Sequence, residues 1–320
     1  MATNVSARIR REAASSRTVG RLGSGLPFLA PFVLVALVFL VIPIAYGLWL
    51  SLTEQSLMGN GGWIGLGNYA EAMGDATMWT TLWHTILFTV MSTIPLVLLA
   101  LVMALLVYVG IPGQWFWRLA FFAPYLLPVA VVVQVWTWLF NSDVGFVNYW
   151  LQQLGLDAVG WLTDVDVAMW SIVILTVWWT VGFNFLLYLS SLQAIPDLLY
   201  EAAEVDGAGF WRKLWSVTLP QLRGTTVLVV TLQVIASLKI FDQMFIAFSG
   251  GSGPEGSTRP ILQYIYDTGF TNYRMGYASA MSYIFFAVII LVTVAPRLLA
   301  RTRKDTSNEE IGRASCRERV

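Results

Sequence analysis

Residues 191–222 read SLQAIPDLLYEAAEVDGAGFWRKLWSVTLPQL, a polar stretch set between two runs apolar enough to cross a membrane. Asp197 follows Pro196, a combination that opens a helix, because proline suits the first turn and an acid there complements the helix dipole. Leu198, Leu199, Ala202, Ala203 and Val205 then supply an apolar stripe at helical spacing. Gly207 and Gly209 end that helix with backbone freedom. A second short helix is predicted over 210–218, and Pro220 marks the way back into the membrane. A helix, a glycine turn and a helix, held between two membrane-spanning runs, form a knob on an otherwise embedded chain.

Outward from this knob the chain is strongly apolar. Hydrophobic residues make up 57% and charged residues 12%, with a mean hydropathy of +0.66. That leaves too little polar surface for a water-soluble protein of 320 residues, so lipid is the expected solvent. The 15 Trp, 12 Tyr and 18 Phe suit aromatic belts at two interfaces as well as packing between helices. A spanning helix needs roughly 20 mostly apolar residues, and such runs lie near 26–52, 82–110, 115–140, 167–192, 225–248 and 277–300. The predicted fold class is therefore an all-α integral membrane protein with six transmembrane helices and the knob between spans four and five. Pro27, Pro31, Pro43, Pro95, Pro124 and Pro128 fall in or beside these runs, and kinks are expected above all around Pro124 to Pro128. The first run is longer than an ordinary signal-peptide core and no cleavage site ends it, so it reads as a span. Repeats of the solenoid or propeller kind are absent.

Lys and Arg set the orientation. The N-tail (1–25) carries Arg8, Arg10, Arg11, Arg17 and Arg21, and the C-terminal end carries Arg297, Arg301, Arg303 and Lys304. Arg118, Arg212, Lys213 and Arg223 lie in the loops on the same side, against only Arg259 and Arg274 opposite. By the positive-inside rule both termini and the knob are cytoplasmic. The membrane domain then spans 26–300, with the loop at 193–221 and a cytoplasmic tail at 301–310. Residues 311–320, IGRASCRERV, read as translated sequencing-adapter sequence and are set apart from fold reasoning. The single cysteine, Cys316, lies among them, so no thiol chemistry is expected of the rest.

The spacing of Glu201, Ala202, Ala203, Gly207, Val217, Leu219 and Pro220 resembles the EAA loop of permeases of ABC importers. With each residue type used at about 5 to 10%, a chance match at so many positions is on the order of one in ten thousand. The resemblance covers nearly all of 26–300 and is closest to the maltose-type, carbohydrate-uptake branch. WIGLGNY (63–69), FWRLAFFAPYLLPVAVVVQVWTWLFNSDVGFVN (116–148), LKIFDQMF (238–245) and YIYDTGFTNYRMGYASAMS (264–282) are similar to that branch. The large periplasmic insertion and extra N-terminal spans of some maltose permeases are missing here, which indicates the compact six-span form, and His84 stands where Asn is usual.

The resemblance implies that the knob docks in a cleft of an ATPase subunit. Ala202 and Ala203 would permit close approach, Glu201 would meet basic groups, Gly207 would allow the turn, and Leu219 with Pro220 would anchor the knob to span five. It implies sugar contacts on the two spans flanking the loop, at Thr176, Trp179 and Phe183 on span four and at Gln233, Ser237 and Ile240 on span five. From their own spacing, Lys239 and Asp242 share a helix face at i and i+3 and are expected to form an intramembrane ion pair near the outer end of span five. GSGPEGST (251–258) has Ser257 where a phosphate loop needs lysine, follows no hydrophobic strand and faces outside, so it is not an ATP site. No metal or catalytic constellation is evident.

The implied partners are a second, unlike permease, two ABC ATPase subunits, an extracytoplasmic solute-binding protein and membrane lipid, with no nucleic acid. No cofactor is expected on this chain, since ATP and magnesium would sit in the ATPase. The expected location is a bacterial or archaeal plasma membrane, and the expected cargo is a sugar, with glycerol-phosphate-type solutes as the alternative. A secondary transporter would show ionisable relay residues deep in its spans and related halves, and neither is clear here.

Overall fold

The computed structural model describes residues 22–56, 58–59 and 61–294, with side chains from residue 29 onward. The basic N-tail up to Arg21, the C-terminal basic cluster and 311–320 lie outside the described residues.

The described chain is helical, with only isolated antiparallel bridges such as Thr53 to Trp63. Helix α1 runs Leu22–Ala36, passes through a wide π turn at Leu37–Val41 and continues over Ile42–Ser51. Next come α2 (Gly67–Gly74), α3 (Ala76–Tyr108), α4 (Gln114–Phe122), α5 (Val129–Leu139), α6 (Phe146–Gln153) and α7 (Val165–Gln193). The knob consists of α8 (Asp197–Val205) and α9 (Phe210–Gln221), after which α10 (Arg223–Leu238), α11 (Asp242–Ala247), α12 (Ile261–Tyr266) and α13 (Met275–Val294) complete the described chain.

Leu29–Ser51, Ala76–Tyr108, Val165–Gln193 and Met275–Val294 are each long and apolar enough to cross a membrane. Two further candidates are bent: Gln114–Leu126 with Val129–Leu139 turns by 97°, and Phe210–Gln221 with Arg223–Leu238 turns by 62°. The expected kink at Pro124 to Pro128 is thus a sharp corner. A 3-10 turn at Ala123–Leu126 leads into it, and Pro128 takes up an extended conformation before α5. Pro95, in contrast, sits inside an unbroken α3, as spanning helices tolerate.

The centre of the molecule is the pairing of α3 with α7. Leu96, Ala100, Ala104 and Val107 of α3 bury against Phe185, Tyr188, Leu189 and Leu192 of α7, and Leu222 and Val229 close the cluster. Lipid removes most of the hydrophobic drive for helices to associate, so close approach over small residues carries the packing. Gly182 shows this most plainly, since a Cβ there would lie 2.3 Å from the Phe121 carbonyl oxygen and 2.8 Å from the Phe122 Cα. That glycine lets α4 rest directly on the backbone of α7.

From Leu29 onward helix α1 is almost wholly exposed, and it is tied down at its end. Asn68, within WIGLGNY, donates from Nδ2 to the carbonyls of Ser51 and Thr53, each at 2.9 Å. On the same side, Asp75 caps α3 by accepting from the backbone N–H of Thr77 at 2.8 Å. Its other oxygen accepts from the hydroxyls of Tyr264 at 2.6 Å and Tyr277 at 2.7 Å. Burial alone would raise the Asp75 pKa, but these hydrogen bonds outweigh it and hold the carboxyl below its ordinary range. Desolvation, with the Asp75 hydrogen bond and charge adding to it, pushes the Tyr264 phenol up to about 12.

Candidate functional site: a protruding knob and a membrane cavity

Helix α8 has Pro196 at its N-cap and Asp197 in its first turn. It ends in a two-bond cap: the Gly207 N–H donates to the Glu204 carbonyl at 2.9 Å and the Ala208 N–H to the Ala203 carbonyl at 2.8 Å. This Schellman geometry needs a left-handed residue at its centre, and Gly207 has φ of +72°. The chain then enters α9, which was expected to stop near Thr218. It continues to Gln221 instead, through a wide π turn at Leu214–Thr218, with Leu219 and Pro220 forming the first two positions of its final turn. Pro220 stays in the helix, and the bend falls at Leu222.

The two helices are clasped by the Lys213–Glu204 ion pair and by Tyr200 and Thr218, whose hydroxyls lie 3.1 Å apart. Thr225 donates to Ser191 at 2.7 Å and ties the start of α10 to the end of α7. Glu201 and Ala202 point to solvent and Ala203 is half-buried. Leu198 and Val205, members of the apolar stripe, are 72% and 89% exposed. The stripe therefore has little cover within this chain.

Deeper in the helical body a cavity of about 140 Å³ lies between α7 and α10. Thr176, Phe183, Gln233, Ser237 and Ile240 all line it, so five of the six path residues inferred from the resemblance converge on one space. The sixth, Trp179, does not. Its indole N–H donates to the Leu127 carbonyl at 3.2 Å, at the corner between α4 and α5, where the break in the helix frees acceptors.

Asn184 and Tyr125, not singled out from the sequence, also line the cavity. Asn184 Nδ2 donates to Gln233 Oε1 at 2.9 Å, Gln233 Nε2 donates to Ser237 Oγ at 3.0 Å, and Ser237 lies 3.0 Å from the Ser92 hydroxyl. Tyr125 stacks on Phe183 with centroids 5.3 Å apart. The Thr176 hydroxyl is buried with no partner in the described structure. Helical spacing could have found Asn184, because Thr176, Thr180 and Asn184 recur at i, i+4 and i+8 on one face. Tyr125 is brought in by the 97° corner, which no local pattern specifies. No Asp, Glu, Lys or Arg lines this space, and among the described residues no cluster of His, Cys, Asp and Glu could hold a metal.

The expected ion pair between Lys239 and Asp242 is not formed. Helix α10 ends at Leu238 and α11 starts at Asp242, with Phe241 at φ of −150° between them. An i, i+3 pair requires an unbroken helix, and here the chain unwinds between the two residues. Among the described residues the ion pairs are Lys213–Glu204, Arg259–Asp267 and Arg274–Glu71, while Lys239 and Asp242 are exposed separately.

Four long apolar helices and two bent helix pairs, with a capped knob and an uncharged internal cavity, are the architecture of an integral membrane protein. The family described as "Binding-protein-dependent transport system inner membrane component" matches residues 96–305, and this chain belongs to it. The "Probable ABC transporter permease protein YurN" of Bacillus subtilis (strain 168) is 32% identical over 288 residues, 88% of this chain and 96% of that protein. The "Trehalose/maltose transport system permease protein MalF" of Thermococcus litoralis is 30% identical over 282 residues, covering 88% and 95% respectively. A subunit of "a bacterial ABC transporter involved in the import of the acidic polysaccharide alginate" has the same fold, with a TM-score of 0.74 at 20% identity over 93% of this chain and 99% of that one. The chain is thus an integral membrane permease subunit of an ABC importer, and it is not itself an enzyme.

Proposed function

We propose that this chain forms half of the translocation path for a sugar delivered by an extracytoplasmic solute-binding protein, and that the α8–α9 knob couples the path to ATP hydrolysis in a partner subunit. The reading takes each bent pair as one span, giving six spans, with both termini and the knob in the cytoplasm of a cell with a bacterial or archaeal plasma membrane. A second, unlike permease completes the path, and two ATPase subunits bind ATP and magnesium.

The observation that carries the reading is the cavity between the two spans that flank the knob. Its hydroxyl, amide and aromatic lining offers what a sugar needs: donors and acceptors for hydroxyls and a ring face for apolar C–H surface. Gln233 and Asn184 orient one another, and the unpartnered Thr176 hydroxyl is free to meet a ligand. The trehalose/maltose relative supports the same class of cargo. On the cytoplasmic side, Glu201 on an exposed helix is placed to meet a basic cleft, and Ala202 allows close contact with it.

The test uses the assembled importer in proteoliposomes with its binding protein and a panel of neutral di- and oligosaccharides. At least one sugar should stimulate ATP hydrolysis. Changing Asn184 and Gln233 together to Ala should abolish sugar uptake while the complex still assembles. Undiminished uptake in that double variant would remove the cavity from the path.

A further inference from the structure

The two helices of the knob differ in charge. Residues 197–206 carry Asp197, Glu201, Glu204 and Asp206 with no Lys or Arg, while residues 210–223 carry Arg212, Lys213 and Arg223 with no Asp or Glu. Lys213 is engaged by Glu204. Arg212 and Arg223 are exposed, and among the described residues neither forms an ion pair.

Arg212 stands between two large aromatics four residues apart, Trp211 at 70% and Trp215 at 68% exposure. Apolar surface of that size left open on a polar loop marks an interaction site. The geometry narrows the partner. Helix α9 meets α10 at 62°, and spanning helices tilt by roughly 0 to 40° from the bilayer normal. A helix so bent from its span can run along the membrane boundary, where Trp rings settle and arginines meet phosphates. The acidic first helix, in contrast, is repelled from an anionic leaflet and suits a basic protein surface.

We propose that the Trp211, Arg212 and Trp215 face of α9, together with Arg223, is a docking surface for anionic phospholipid headgroups of the cytoplasmic leaflet. This goes beyond the transport reading and needs only that the knob be cytoplasmic. The tryptophans seat at headgroup level and the two arginines pair with phosphates. The Lys213–Glu204 clasp then joins a lipid-held α9 to the acidic α8, so the headgroups fix the platform from which α8 projects.

The experiment places the purified importer in nanodiscs of phosphatidylcholine with phosphatidylglycerol and measures, by native mass spectrometry after transfer to detergent, which lipid stays bound. The wild-type complex should retain phosphatidylglycerol in preference to phosphatidylcholine, and added salt should weaken that preference. Arg212→Gln with Arg223→Gln should reduce phosphatidylglycerol retention by about fivefold per arginine removed. Trp211→Ala with Trp215→Ala should weaken retention of both lipids. Equal retention of the two lipids by the wild type, or a preference indifferent to salt, overturns the proposal without any variant having to fold. Loss of ATPase pull-down in lipid-free detergent by the tryptophan variant, with its retention of both lipids undiminished, would assign the face to the ATPase instead and equally overturn it.

Discussion

Replacing Gly207 by valine perturbs the knob at one backbone position and nowhere else. The residue sits at φ of +72°, where an L side chain is disfavoured by about 1–2 kcal/mol, and β-branching adds to the crowding. No heavy atom lies within 4 Å of a Cβ built there, so the cost is conformational and no neighbour is pushed aside. The chain can escape only by opening the cap, giving up the bonds from Gly207 to Glu204 and from Ala208 to Ala203, each worth about 1 kcal/mol. Either way the capped knob loses about 1–2 kcal/mol, a factor of about 5–30 in its population. Asparagine tolerates left-handed geometry, so Gly207→Asn should stay near wild type while Gly207→Val should not. Both should insert and assemble, because the position is exposed and outside every spanning run. The assay is pull-down of the ATPase by the permease pair, with ATP hydrolysis measured with and without sugar-loaded binding protein. If Gly207→Val keeps full ATPase binding and full sugar stimulation, the capped turn does not set the coupling geometry and the reasoning fails.

Two further outcomes follow from the remaining geometry. Asp75→Asn preserves an N-cap but cannot accept both phenols through its amide nitrogen, so thermal unfolding in detergent at neutral pH should show a loss of about 1–3 kcal/mol. Because the folded carboxyl lies below its ordinary value of 3.8, its contribution is present above that pH and fades as pH falls through the depressed value, so the gap between wild type and variant should close only in strong acid; a gap constant down to that range would refute the assignment. For Lys239 and Asp242, replaced singly and together by Ala, the effects on stability should add to within about 0.5 kcal/mol, and a larger favourable coupling would show that they pair after all.

How much was legible in the sequence differs from element to element. The helix α8, its end at Gly207 and the run into α9 were readable because a capped turn depends on residues within six positions of one another. The corner at Pro124 to Pro128 was legible as a kink but not as 97°, since the proline frees the backbone and the packing of α4 on Gly182 then helps fix its direction. The Lys239 and Asp242 pairing failed for the complementary reason: periodicity assumes an unbroken helix, and the break at 239–241 has no Pro or Gly to mark it.

By itself, then, the sequence determined what neighbouring residues settle among themselves: apolar length, the polar knob, its charge segregation and the glycine at its turn. The tertiary structure alone decided which side chains share the cavity. Asn184 meets Gln233 across 49 residues of chain, Asp75 meets Tyr277 across 202, and Trp179 stays out of the cavity and donates to the Leu127 carbonyl. Such pairings depend on how close two helices can come, which is set by small residues such as Gly182 and Ala104 and by corners whose angle no local pattern encodes.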